Sequence, residues 1–200
     1  MKRKAFIAVE GADGVGKSTV LRLFVPQYVQ QEGFDGFLFF HWKPLRNEIF
    51  SNKIPDSPAQ NPRGKKPRTP FLSLLFLGYH AMGYFYGYWR YLRPALRQNV
   101  FVIADRYSYD ILLDPTRFRL NLPRWVLRLF VRLLPRPDAV IALTAPPSVI
   151  RKRKPELNEA EINAYQDRLM SEAPILNRIQ IEASGNIEDV MSRLMKSIVR

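Results

Sequence analysis

The sequence contains no cysteine. Disulfides and cysteine-based metal sites are therefore excluded, and nothing in the residue types argues for secretion. Acids are scarce beside bases: 18 Asp and Glu stand against 31 Lys and Arg, a formal net charge of +13. Such an imbalance points to anionic partners (nucleotide phosphates, nucleic acid or an acidic membrane face), the alternative being a merely basic surface. The shortage is uneven, because between Pro115 and Arg136 there are six Arg and no acid. There is no internal repeat. The basic start Met1-Lys2-Arg3-Lys4 runs straight into an apolar strand, without the apolar region and small-residue cleavage site of a signal peptide. A cytoplasmic protein is the expectation.

What is present suits one domain over residues 1–200: a 200-residue chain of 46% hydrophobic residues can bury a core of its own. Four short apolar runs read as parallel strands buried on both faces. They are Ala5–Val9, Phe37–Phe40, Val100–Ala104 and Asp138–Leu143, and Gln180–Ala183 reads as a short fifth. Helical patterns lie between them, so an α/β sandwich with a parallel sheet is expected. The first helix, from Lys17 to Gln31, contains Pro26 and is expected to kink or end there. Residues 51 to 70 carry five prolines and the cations Arg63, Lys65, Lys66 and Arg68, which reads as a long loop. Phe71 to Leu92 is apolar and aromatic. Its length admits a membrane span, but His80, Arg90 and the tyrosine hydroxyls favour a buried helix. After Pro123, Arg124, Arg128 and Arg132 recur every four residues and fall on one helix face. Arg151–Met170 and Ile187–Val199 complete the helical segments.

One stretch carries chemistry by itself. Gly11, Gly16, Lys17 and Ser18 satisfy G-x-x-x-x-G-K-[ST] between a strand and a helix. Glycines let the backbone curl until successive N–H groups face one anion, and the helix start adds its positive dipole end. Lys17 reaches the β- and γ-phosphates of a nucleotide held there, and the Ser18 hydroxyl ligates Mg²⁺. The whole run Gly11-Ala12-Asp13-Gly14-Val15-Gly16-Lys17-Ser18-Thr19 is the expected nucleotide cradle. No Asp-x-x-Gly turn follows the third strand, which disfavours a hydrolysis-coupled switch.

From Phe6 to Thr19 the chain resembles the opening of thymidylate kinases. Pro94-Ala95-Leu96 followed by Val102-Ile103-Ala104-Asp105-Arg106-Tyr107 resembles that family's second hallmark. Pro137 to Leu143 with Ala145-Pro146-Pro147 resembles its strand before the lid. The resemblance implies a three-layer α/β sandwich, the P-loop nucleoside triphosphate hydrolase or nucleoside monophosphate kinase fold, using ATP and Mg²⁺. It assigns catalytic roles to Lys17, Asp13, Asp105 and Arg106, with Asp105 and Ser18 on the metal side. It makes 148–170 the lid, with Arg153 over the adenine. It implies a homodimer formed through helices, using the Phe71–Leu92 region, and no DNA partner.

The acceptor side departs from the family. His41-Trp42-Lys43-Pro44-Leu45 stands where thymidylate kinases have an Arg-Glu-Pro-Gly-Gly-like turn, and Tyr79 and His80 stand where their third helix carries an Arg. Ser108-Tyr109-Asp110 leads into Leu113-Asp114-Pro115-Thr116-Arg117-Phe118-Arg119 in place of residues that read thymine. The expected acceptor-binding set is His41, Trp42, Tyr79, His80, Arg106, Tyr107 and Asp110. Three functions stay open. One is a kinase of a nucleoside monophosphate such as dTMP. Another is a kinase of a sugar, sugar phosphate or other alcohol, because the departures are similar to a branch associated with bacterial surface-polysaccharide loci. The third, from another class, is a basic nucleotide-binding module at a membrane surface, motivated by the Arg124/Arg128/Arg132 stripe.

Overall fold

The computed structural model describes residues 3–45, 66–155 and 158–199. Five strands form one parallel sheet in the order β2-β3-β1-β4-β5: β1 (Phe6–Gly11), β2 (Gly36–His41), β3 (Val100–Asp105), β4 (Ala139–Thr144) and β5 (Arg178–Glu182). Every residue of β1 and β4 is buried, as continuous apolar runs in a doubly covered sheet require. The register sets Val9 of β1 beside Asp105 of β3 and Gly11 beside Leu143 of β4. Because β1 pairs with β3 on one side and β4 on the other, the chain changes direction at β1. The crevice of the fold therefore opens at the carboxyl ends of β1 and β3.

Helix α1 (Lys17–Glu32) and the closing α9 (Ile187–Val199) cover one face of the sheet together. α1 runs unbroken through Pro26, contrary to the expected kink. Pro26 lies on the exposed side while Phe24, Val25 and Tyr28 lock into the core, and each buried aromatic contributes about 2–3 kcal/mol. That packing outweighs the missing hydrogen bond. α1 ends at Gly33 in the left-handed conformation.

The other face carries α2 (Pro70–Gly87), capped by the Thr69 hydroxyl accepting from Leu72 N and started by proline. A wider π-helical turn, Tyr88–Leu92, and a short α3 (Arg93–Arg97) follow, so the expected single helix to Leu92 changes its winding at Gly87. A Cβ on Gly87 would lie 2.0 Å from the Pro44 carbonyl oxygen, and only glycine lets α2 approach that closely. No described helix is long and apolar enough to cross a membrane. After β3 come α4 (Asp110–Leu113) and α5 (Arg124–Leu133). The segment expected as one helix from Arg151 divides into α6 (Pro147–Arg153) and α7 (Glu159–Ser171), which Asn158 caps by accepting from Ala160 N. A short α8 (Ala173–Leu176) precedes β5. Of the expected proline-rich loop, residues 51–65, with Arg63 and Lys65, lie outside the described residues.

Candidate active site

The loop between β1 and α1 curls as its motif demands: Gly14 has φ +82° and Gly16 φ +109°, angles at which a side chain is strained. The N-cap Gly16 supplies no side chain to the first turn of α1, leaving that turn's N–H groups without a side-chain cap. Lys17 bends back over the loop and donates to Gly11 O at 2.9 Å and Ala12 O at 3.1 Å. Burial, helped by the like charge of Arg106, lowers its ammonium to about 8. Arg153, from the end of α6, donates to Val15 O at 2.8 Å and Ala183 O at 3.4 Å, bracing the loop from behind.

Arg106 is the hub. It sits just past β3 at φ +65°, a left-handed conformation uncommon for a non-glycine residue, and is 3% exposed. Its guanidinium reaches Asp13 of the loop at 2.6 Å, Asp110 of α4 at 2.5 Å and the Tyr165 hydroxyl of α7 at 3.3 Å. Burial opposes ionisation of Asp13, but Arg106, Lys17 and Arg117 outweigh it and hold the carboxyl far below its usual range. Beneath this cluster lies Glu10, wholly buried. It accepts from Tyr107 N at 2.9 Å and from the Tyr165 hydroxyl at 3.3 Å. Burial, reinforced by Asp110, pushes Glu10 up to about 8 against the pull of Arg106.

Asp105 is placed differently from its neighbour. It makes no ion pair with Arg106; its Oδ2 lies 3.4 Å from His41 Nδ1, and its buried Oδ1 has no hydrogen-bond partner. Burial opposes its charge, yet the His41 hydrogen bond and Lys17 hold its carboxyl below the ordinary value. An orphaned carboxylate oxygen in the crevice beside a phosphate loop fits a water or metal network. Among the described residues no three His, Cys, Asp or Glu side chains cluster as a metal cage. Mg²⁺ needs only one or two protein oxygens, with phosphate and water supplying the rest.

Beside Arg106 opens a cavity of about 440 Å³ lined by His41, Trp42, Arg68, Phe76, His80, Arg106, Asp110, Arg117, Phe118 and Arg119. One wall is aromatic: Trp42 stacks on Phe118 at 4.9 Å and 21°, and Phe76 and His80 lie 3.9 Å apart. Cations line the cavity as well. Arg68 donates to Phe118 O and lies 4.4 Å over the Phe76 ring, while Arg119 donates through Nε to Lys66 O at 2.8 Å. Burial, with Lys43 and Arg68 nearby, lowers His80 to about 3, so its ring is neutral at physiological pH.

Of the expected acceptor set, His41, Trp42, His80, Arg106 and Asp110 meet in this cavity. Two expectations are corrected. Tyr79 does not line it and is 64% exposed, because neighbours on a helix point about 100° apart and His80 takes the inward direction. Tyr107 turns into the core, edge-on to Phe6 at 5.4 Å, with its hydroxyl on Pro135 O at 2.9 Å. Its contribution is the backbone N–H held by Glu10. The sequence singles out neither Phe76, Glu10 nor Tyr165; it marks Arg68 only as a loop cation, and Arg117, Phe118 and Arg119 only within the acceptor-side stretch that departs from the family. Phe76 had a signal, four residues before His80 on one helix face. For the arginines, residue type does not say which reach the cavity, because a cavity guanidinium and a solvated one look alike in sequence.

A parallel sheet with a phosphate loop at its switch point fixes the fold class, and the wider comparison decides the family. The family model described as thymidylate kinase matches residues 9–194. The chain belongs to the thymidylate kinase family. Membership makes it an ATP-using P-loop kinase. A curated protein from Caldivirga maquilingensis, described as a probable thymidylate kinase, is 25% identical over 201 residues, covering 96% of this chain and 92% of the relative. The crystal structure of thymidylate kinase from Ehrlichia chaffeensis superposes with a TM-score of 0.61 over 100% of both chains at 14% identity, a likeness of fold.

Proposed function

We propose that this kinase transfers the γ-phosphoryl group of ATP to the phosphate of a nucleoside monophosphate, dTMP or a close relative, bound in the 440 Å³ cavity. The carrying observation is that one residue, Arg106, both lines that cavity and is tied to the phosphate loop through Asp13 at 2.6 Å. An acceptor phosphate gripped by Arg106 and Arg117 faces the donor's terminal phosphate. The lining arginines suit a phosphate, and the Trp42, Phe76 and Phe118 rings suit a flat ring.

In this reading an acceptor phosphate oxygen attacks Pγ, the bond from Pγ to the bridging oxygen of ADP breaks, and ADP leaves. The chain supplies position and charge rather than covalent chemistry. Lys17 leaves the loop carbonyls for the β- and γ-phosphates, and the loop amides hold the oxygens they face. Arg106, kept charged by Asp13 and Asp110, neutralises charge on the transferring group. Ser18 and Asp105 would hold Mg²⁺, which would supply charge neutralisation for the donor phosphates. The neutral His80 beside Trp42 reads the acceptor ring without contributing charge. Residues 148–170 act as the lid of a single kinase domain, and Arg153 meets the adenine side of ATP.

A second reading is favoured by the aromatic wall. The stacked Trp42–Phe118 pair is also a platform for the apolar face of a sugar ring, which would make the acceptor a sugar or sugar phosphate. ADP release measured with dTMP, other nucleoside monophosphates and sugar phosphates separates the two. Fastest turnover with dTMP or another monophosphate supports the proposal; turnover with sugars or sugar phosphates alone overturns it.

A further inference from the structure

The acceptor cavity is lined by Arg68, Arg106, Arg117 and Arg119 but by a single carboxylate, Asp110. The arginines do not share acids evenly. Arg106 pairs with Asp13 at 2.6 Å and Asp110 at 2.5 Å, and Arg117 lies 3.5 Å from Asp13 and 4.0 Å from Asp110. Two guanidiniums therefore meet two carboxylates beside the phosphate loop. Arg68 and Arg119 have no such answer: among the described residues neither forms an ion pair. Asp114 and Glu161 line a neighbouring hollow that Arg119 also borders, and neither lies within ion-pair distance of it.

The unanswered pair is held in place. Arg68 N donates to Arg119 O at 2.8 Å, Arg119 Nε donates to Lys66 O at 2.8 Å, and Arg68 Nη1 donates to Phe118 O. These bonds stitch residues 66–68 to residues 118–119 and keep two uncompensated cations at one cavity. Each guanidinium uses an N–H on a backbone carbonyl, and with about five donors apiece both keep others for a ligand. Arg119 has φ +56°, Trp42 φ +62° and Arg106 φ +65°. All three line this cavity in a left-handed conformation that is uncommon for residues other than glycine, and such strain persists where the surrounding structure holds a functional site in shape.

Two ring nitrogens of the same lining are unanswered as well. Trp42 Nε1 and His80 Nδ1 are buried without a hydrogen-bond partner. Buried polar atoms of this kind call for a partner, and a bound ring with polar substituents supplies one.

Fixed cations without a carboxylate suit an oxyanion, which a guanidinium fork grips with paired hydrogen bonds. The transfer end of the cavity lies elsewhere, at Arg106 and Arg117, because these reach Asp13 of the phosphate loop. We propose that Arg68 and Arg119 form a second oxyanion site, so that the acceptor carries two anionic groups. One is the phosphate on Arg106 and Arg117 that receives the phosphoryl group. The other is a phosphate or carboxylate on Arg68 and Arg119, with the acceptor's ring against Trp42, Phe76 and Phe118. This second site rests on the proposed kinase reading of the cavity and narrows the acceptor to a bis-anion, such as a nucleoside bisphosphate, a sugar bisphosphate or a phosphorylated sugar acid.

The test is calorimetric titration of the full chain with matched ligands. The nucleotide pair is dTMP and thymidine 3′,5′-bisphosphate. The sugar series is glucose 1-phosphate, glucose 1,6-bisphosphate and, for the carboxylate, glucuronic acid 1-phosphate. Within the nucleotide pair or the sugar series, a ligand with the second oxyanion is expected to bind about tenfold or more tightly than its single-phosphate partner. In Arg68→Gln and Arg119→Gln, shown to be folded by their melting temperatures, that ratio is expected to fall toward one. In Arg117→Gln both members should weaken together. Equal affinities in the parent protein, within the pair and across the series, overturn the proposal without recourse to a variant. So does an equal loss for both members in Arg68→Gln and Arg119→Gln, which would put the acceptor's only phosphate there. A preference confined to the sugar series keeps the second site and overturns the nucleotide reading. Turnover of dTMP with no preference keeps the nucleotide reading and overturns the second site.

Discussion

Arg106 and Asp13 lie 2.6 Å apart although 93 residues separate them, one just beyond β3 and the other within the phosphate loop. This ion pair joins the donor and acceptor halves of the site. Through it, the position of the acceptor-side arginine and the shape of the nucleotide cradle depend on each other. Removing Arg106 by Arg106→Ala leaves Asp110, 1% exposed, without its main cation. We expect a loss of about 3–5 kcal/mol in stability and a rise in acceptor KM larger than the rise in ATP KM. Denaturant melts with two-substrate kinetics check both; unchanged acceptor kinetics would remove Arg106 from the acceptor site.

Lys17 is the ammonium of the cradle. Lys17→Ala is expected to lower kcat by about a hundredfold or more while the circular dichroism spectrum is retained. Activity equal to the parent would refute its role.

Glu10 makes a pH prediction whose sign follows from its raised value. Folding favours its protonated form, so the contribution is complete below the ordinary 4.5 and is lost as pH rises through about 8. Stability should fall across that window with a slope from this group of at most about 1.4 kcal/mol per pH unit. Glu10→Gln keeps an acceptor for Tyr107 N and should flatten the slope. Thermal melts from pH 5 to 8.5 measure it, and identical slopes would exclude Glu10 as the source.

His80 is expected to stay neutral throughout the working range, since burial, Lys43 and Arg68 lower it to about 3. Its imidazole resonances should not titrate between pH 5 and 8 in an NMR experiment, whereas a midpoint near 6.5 would show an open, solvated ring.

Gly87→Ala tests the packing that positions the cavity's outer wall. The added methyl would sit 2.0 Å from Pro44 O, so α2 or the turn after Trp42 must shift. A cost of about 1–3 kcal/mol is expected, together with weaker acceptor binding. A neutral substitution would mean that α2 and this turn are not tightly coupled.

The donor half was legible because it is local. Strand, glycine turn and helix start are contiguous from Phe6 to Thr19, and each has a signature over a few residues. The sheet was legible for a similar reason, since strands buried on both faces leave unbroken apolar runs. Errors arose where packing overruled local preference. The core contacts of Phe24 and Tyr28 carried α1 through Pro26, and the one-residue offset between Tyr79 and His80 decided which side chain faced the cavity. Arg117, Phe118 and Arg119 read in sequence as part of the acceptor-side departure, without a sign of which side chains enter the cavity.

The sequence by itself determined the phosphate cradle, the parallel sheet and the excess of cations. These depend on residue type and on neighbours a few positions apart. The tertiary structure alone decided which arginines face the acceptor cavity, and that Glu10 and Tyr165 close a buried network under Arg106. The reason is physical. Burial, charge coupling and surface continuity are made by residues from distant segments meeting at distances of a few ångströms, which no run of neighbouring letters encodes.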